Sequence, residues 1–312
     1  MTAHAYRSEA ADRIVEDALR GIAADLDALR VPRLAGAVLG GGYGRGEGGV
    51  KPDGNLSNDL DFYALVAPGL GDRAAAAAAE ALAPLGKTWS ARLGLDVDFT
   101  VKTPERMKKD EARLMVQELV RGYCDVWGRP GAELFAHVAR RPAEDVPRSE
   151  AVRLLANRGA GLLLAREPGR DREFAARNIA KGVMGAGDAR LVARGAYRWK
   201  AEERREALGD ARYAAALAWK FRPREEPPCT WEEAREAWLA AAEEVGKGAD
   251  GRRTVRNALR WVARRRTWGA WRTAGREPEE RLLAGIARAL AAGVAEGTVF
   301  PQDLRRDWEV FG

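Results

Sequence analysis

Strand-type patterning is confined to the first part of this chain. Short apolar runs and period-two alternation occur in "LAGAVLG", "DLDFYALV", "RLGLDVDFTV" and "YCDVWG", all before residue 130. After about residue 140 the pattern is helical. A period of two and a period of 3.6 put side chains on different faces, so one segment cannot satisfy both. Strands first and helices last predict an α+β chain. A small mixed-sheet domain is expected over 1–140, followed by an all-helical domain over 141–312.

Within the first domain, Val15, Leu19, Ile22, Leu26 and Leu29 recur at spacings of three and four and predict an amphipathic helix. "GDRAAAAAAEALAPLG" reads as a second helix. "TPERMKKDEARLMVQELVRG" reads as a third, with Thr103 as N-cap and Pro104 in the first turn. Beyond residue 140, "SEAVRLLANRGAGLLLAR", "FAARNIAKGVMGAGDARLVARGAYRWKAEERREAL" and "DARYAAALAWKF" read as helices. "RPREEPPCT" breaks the pattern, and Thr230 with Glu233 forms a capping box for the next helix. Leu282, Ile286, Leu290 and Val294 make the last apolar stripe.

Length and composition exclude some classes. The 312 residues are 46% hydrophobic and 31% charged, as in folded globular chains. No apolar run approaches the roughly 18 residues that span a bilayer, so no membrane partner is expected. The N-terminus lacks a basic start followed by an apolar block, so no secretory signal is expected. Two cysteines and two histidines (Cys124, Cys229, His4, His137) show no zinc spacing. A reducing cytoplasm is the expected compartment. The net charge of +6 permits an anionic partner without requiring one.

Chemistry gathers in two places. "GGGYGRGEGG", Gly40 to Gly49, holds seven glycines in ten residues and reads as a loop. Such backbone can approach a ligand closely and turn successive N–H groups toward an anion. Gly44, Gly46 and Gly49 match the dinucleotide pattern, but "VKPDGNLSND" follows and cannot open a helix, so that reading fails. The second place is a set of carboxylates. Asp59 and Asp61 are two apart on a predicted strand and share a face, as do Asp96 and Asp98 on the next. Adjacent carboxylates repel, and a divalent cation is the usual reason to keep them together. Three or four converging from neighbouring strands suit one or two magnesium ions. A solvated strand start is the other reading of "NDLD".

The order of parts resembles the polymerase-beta-like nucleotidyltransferase superfamily over roughly residues 30 to 130. The Gly-Gly pair is Gly41-Gly42, the Asp-x-Asp is Asp59-Leu60-Asp61, and the later acid is Asp98, with "VDFTVKTPERM" as the strand-to-helix exit. The resemblance implies Mg2+, two ions, with Mn2+ as a substitute, held by Asp59, Asp61 and Asp98. Asp96 rivals Asp98 for the third place. It implies a nucleoside triphosphate such as ATP, cradled by Gly41 and Gly42, and a monophosphate transferred with loss of pyrophosphate. Arg45 is either a phosphate clamp or an ion-pair partner of Glu47. Two departures stand out: Gly42 replaces a common serine, and "GVKPDGNL" lengthens the loop.

The helical domain is expected to close over the nucleotide. Arg177, Lys181 and Asp188 share one side of a helix, and Lys181 could reach a triphosphate. A solvated face is the simpler reading of the row. Asn157-Arg158 is a similar candidate. Arg252 to Arg276 carries nine arginines and three tryptophans. It reads as an amphipathic helix whose arginines meet acids such as Glu232, Glu233 and Glu236, or as a nucleic-acid surface. The expected acceptor is a small molecule or a protein side chain. Transfer to a nucleic acid end, or a silent nucleotide-binding module, are the alternatives.

Overall fold

A computed structural model describes residues 3–246, 278–295 and 297–311. It is α+β, with a four-stranded mixed sheet in the N-terminal half and helices after it. The chain divides into two units. The first is Met1–Pro142 together with Phe221–Arg224, and the second is Ala143–Lys220 with Glu225–Gly312.

In the first unit, α1 (Glu9–Leu29) opens on Ser8, whose hydroxyl accepts from the Ala11 N–H at 3.3 Å. Its apolar stripe Val15, Leu19, Ile22 and Leu26 is buried. The strands are β1 (Leu34–Leu39), β2 (Leu60–Val66), β3 (Val97–Lys102) and β4 (Cys124–Gly128), in the order β3-β2-β1-β4. β1 is antiparallel to β2 and to β4, while β2 and β3 are parallel. A parallel pair needs a crossover, here α3 (Asp72–Leu93). Alternation along β2 sends Leu60, Phe62, Ala64 and Val66 into a core with α1 and α3. Leu65 and Tyr63 point to the other face, against Met107, Val116 and Leu119.

Several boundaries differ from the sequence reading. The glycine stretch contains a one-turn helix, α2 (Gly41–Gly44). α3 runs on to Leu93, where Gly94 at φ 67° ends it, so β3 begins only at Val97. The segment read as one helix over 103–122 is two, α4 (Pro104–Lys109) and α5 (Leu114–Leu119). Arg106 Nε holds the Asp110 carboxylate at 2.8 Å, and the Gln117 amide donates to Ala139 O at 2.9 Å, so side chains stabilise the break. A short α6 (Gly131–Leu134) follows β4.

The second unit contains α7 (Arg148–Leu164), α8 (Arg172–Ala193), α9 (Ala201–Leu208), α10 (Ala211–Phe221), α11 (Trp231–Gly246), α12 (Pro278–Ala291) and α13 (Gln302–Phe311). The run read as one helix from Phe174 to Leu208 breaks after Ala193, and Val294 lies beyond the end of α12. Trp238 Nε1 donates to Leu155 O at 3.0 Å and Trp231 Nε1 to Leu162 O at 2.9 Å, which seats α11 on α7. The capping box is present: Glu233 accepts from the Thr230 N–H at 2.8 Å, and Thr230 Oγ1 accepts from the Glu233 N–H at 3.2 Å. No helix among the described residues is long and apolar enough to cross a membrane.

Candidate functional site

The site lies where β1 ends and β2 and β3 begin. Leu39 is the last residue of β1, and the Gly40 N–H then donates to the Asp61 carbonyl at 2.8 Å. This bond brings the glycine stretch onto the edge of β2. Gly41 follows at φ 62°, and a Cβ there would sit 2.3 Å from Asp61 Oδ2. Only glycine satisfies both the left-handed backbone and this approach. At Gly42 a Cβ would come 3.3 Å from the Glu47 carbonyl, so a serine in its place would be tight.

Asp61 and Asp98 are register partners across the parallel β2–β3 ladder. Register partners project to the same face, with backbones roughly 4.8 Å apart. Asp59 stands two residues before Asp61 and just ahead of β2, which starts at Leu60. Asp96 precedes β3, and its carbonyl accepts from the Leu60 N–H at 2.9 Å. Asp98, rather than Asp96, is therefore level with the carboxylate that touches Gly41. The donor set is all hard oxygen. Among the described residues no three His, Cys, Asp or Glu side chains are grouped closely enough to hold an ion by themselves. Magnesium at triphosphates is usually held by one or two carboxylates with the phosphates themselves, and the Asp61–Asp98 pair fits that chemistry.

Arg45 and Glu47 do meet: Nε lies 3.5 Å from Glu47 Oε2, and Nη1 lies 3.6 Å from Glu118 Oε2 on α5. The Glu118 partner, far away in sequence, was not legible. Tyr63, two residues past Asp61 on the same face, completes this group. Burial first, then the charge of Asp61, pushes its phenol up to about 12 against the pull of Arg45.

Tyr43 organises the rest of the loop. It is fully buried, its hydroxyl donates to Gly49 O at 2.6 Å, and it accepts from Ser57 N at 3.0 Å and Asn58 N at 3.4 Å. The insert that lengthens the loop is a tight hairpin, with Val50 bridged to Leu56 and the Lys51 N–H bonded to Asn55 O at 2.8 Å. The N-terminal residues also join. Ala5 bridges Gly48, the Tyr6 N–H donates to Gly48 O at 2.8 Å, and His4 Nδ1 lies 3.2 Å from Tyr43 O. Nothing in the sequence marks this contact, since the bridge to Gly48 forms between backbones.

The helical candidates belong to the second unit. Lys181 is half-buried on α8. Arg177 pairs with Glu173 at 2.9 Å. Asp188 accepts from Tyr213 Oη at 2.7 Å and pairs with buried Arg204 at 3.0 Å, a structural network inside the unit. Asn157 Oδ1 accepts from Trp308 Nε1 at 3.3 Å. The arginine-rich segment Arg252 to Arg276 lies outside the described residues. Its suggested partner Glu232 pairs with Arg166, and Glu233 caps α11.

The chain matches no protein-family model, and a search of curated proteins finds no significant match.

Proposed function

We propose that this chain is a magnesium-dependent nucleotidyltransferase. It moves a nucleoside monophosphate from a nucleoside triphosphate to a small-molecule or protein acceptor. The observation that carries this reading is Asp98 in register with Asp61, with the Gly41 backbone against the Asp61 carboxylate.

Asp59, Asp61 and Asp98 would hold one or two Mg2+, or Mn2+, which when bound neutralise phosphate oxygens and polarise the attacked phosphorus. The backbone of Gly41 and Gly42 orients the triphosphate. Asp98 accepts the proton of the acceptor hydroxyl or amine on a carboxylate oxygen as that group attacks the α-phosphorus in line. The bond from the α-phosphorus to the bridging oxygen breaks, and pyrophosphate leaves. Positioning and charge stabilisation supply most of the rate in such transfers. Arg45 would serve as a clamp by exchanging Glu47 or Glu118 for a phosphate oxygen, since a guanidinium fork suits either anion.

The test is to incubate the protein with each α-labelled triphosphate, Mg2+ or Mn2+, and fractionated cell extract. Label entering small molecules or protein is the expected result. Label on nucleic acid ends would reassign the acceptor. Tight triphosphate binding with no transfer to any fraction would make the chain a silent binding module.

A further inference from the structure

Resting on the proposed function, we infer that Tyr43 and Asn58 form a clasp on Gly49. The clasp sets the spacing between the glycine loop and the carboxylate strand, and so couples triphosphate binding to divalent-metal binding. Both are positioning residues.

The loop is held to the start of β2 at two ends. At one, the Gly40 N–H donates to Asp61 O. At the other, Gly49 is gripped from both sides of its backbone. Its N–H donates to Asn58 Oδ1 at 2.8 Å, and its carbonyl accepts from Tyr43 Oη at 2.6 Å and from Ser57 N at 3.2 Å. The same phenol oxygen accepts from Ser57 N and Asn58 N. Asn58 is bonded directly to Asp59, so the clasp closes next to the first carboxylate and bypasses the hairpin between. A Cβ at Gly48 would sit 2.0 Å from the Tyr43 ring, so the ring reaches Gly49 only across a glycine. Filling the core does not account for the hydroxyl, because phenylalanine would fill the same space. All the hydroxyl bonds go to the end of the loop and the entry to β2.

Triphosphate binding would be measured by calorimetry, with non-hydrolysable analogues of the four common triphosphates, each with and without Mg2+. Wild type, Tyr43→Phe, Asn58→Ala and the hairpin control Asp53→Ala would be compared, with thermal melts to establish folding at the assay temperature. Magnesium should strengthen binding to wild type and to Asp53→Ala by the same factor. In Tyr43→Phe and Asn58→Ala that factor should shrink about tenfold, the equivalent of about 1.4 kcal/mol. Should Tyr43→Phe fail to fold, Asn58→Ala decides alone, since it leaves the buried ring in place. A folded variant that keeps the wild-type factor overturns the clasp. Wild type showing no magnesium-dependent triphosphate binding overturns the proposed function instead, a result readable without any variant.

Discussion

At Gly41 one missing methyl group decides whether the loop can rest on the carboxylate strand. The backbone is left-handed there, and the space a Cβ needs is taken by Asp61 Oδ2 at 2.3 Å. Gly41→Ala should lower stability by about 1–3 kcal/mol, the usual range for a strained backbone position, measured by denaturant unfolding. An unchanged midpoint would mean that the loop does not hold this conformation. The glycines and aspartates were legible as residue types, because few chemistries use both. The loop's own ion pair was legible only in part. Arg45 and Glu47 are two apart in sequence, whereas Glu118 reaches Arg45 through the packing of α5 against the sheet.

Among the elements, strands were readable wherever one face is buried, as in β2, because burial imposes alternation. Helix ends were readable where a side chain caps them, as at Thr230 and at Thr103, whose hydroxyl accepts from the Arg106 N–H at 3.0 Å. They were not readable where tertiary bonds stop a helix that local propensity would continue. The turn between α4 and α5 is such a place. Glu111 accepts there from Lys108 at 2.7 Å, Arg141 at 2.7 Å and the Ala139 N–H at 3.4 Å. Hydrogen bonds from Lys108 and then Arg141 hold its carboxyl down to about 2, below the usual 4.5. A depressed folded value means stability that is present above the unfolded value and lost as pH falls through the folded one. The contribution of Glu111 is therefore complete above about pH 5 and fades toward pH 2. Glu111→Gln should flatten this acid loss in unfolding measured across pH 2 to 5. An identical acid profile would show that the turn is held by other bonds.

On the scale of the whole molecule, the order of strands and helices foretold an α+β chain, but not that the chain returns to its first unit. Phe221 ends α10 yet is counted with the sheet. Its ring stacks on Tyr6 with centroids 3.9 Å apart, and its carbonyl accepts from the Val50 N–H at 2.9 Å. Neither partner is near it in sequence, so no local pattern could announce the contact. Phe221→Ala should cost about 3–5 kcal/mol, as buried Phe-to-Ala changes do. The loss should appear as faster hydrogen exchange in the first unit, around Val50 and the N-terminal segment. Unaltered exchange there would separate Phe221 from the loop.

The proposed chemistry depends on the register that sets Asp98 beside Asp61. Its most direct test is Mn2+ binding, followed by electron paramagnetic resonance, with a non-hydrolysable triphosphate present. Wild type should bind the ion with micromolar-range affinity, while Asp61→Asn with Asp98→Asn should weaken that binding by at least about a hundredfold, roughly 2.8 kcal/mol. Equal Mn2+ affinity in wild type and the folded double variant would contradict a metal site at these two strands.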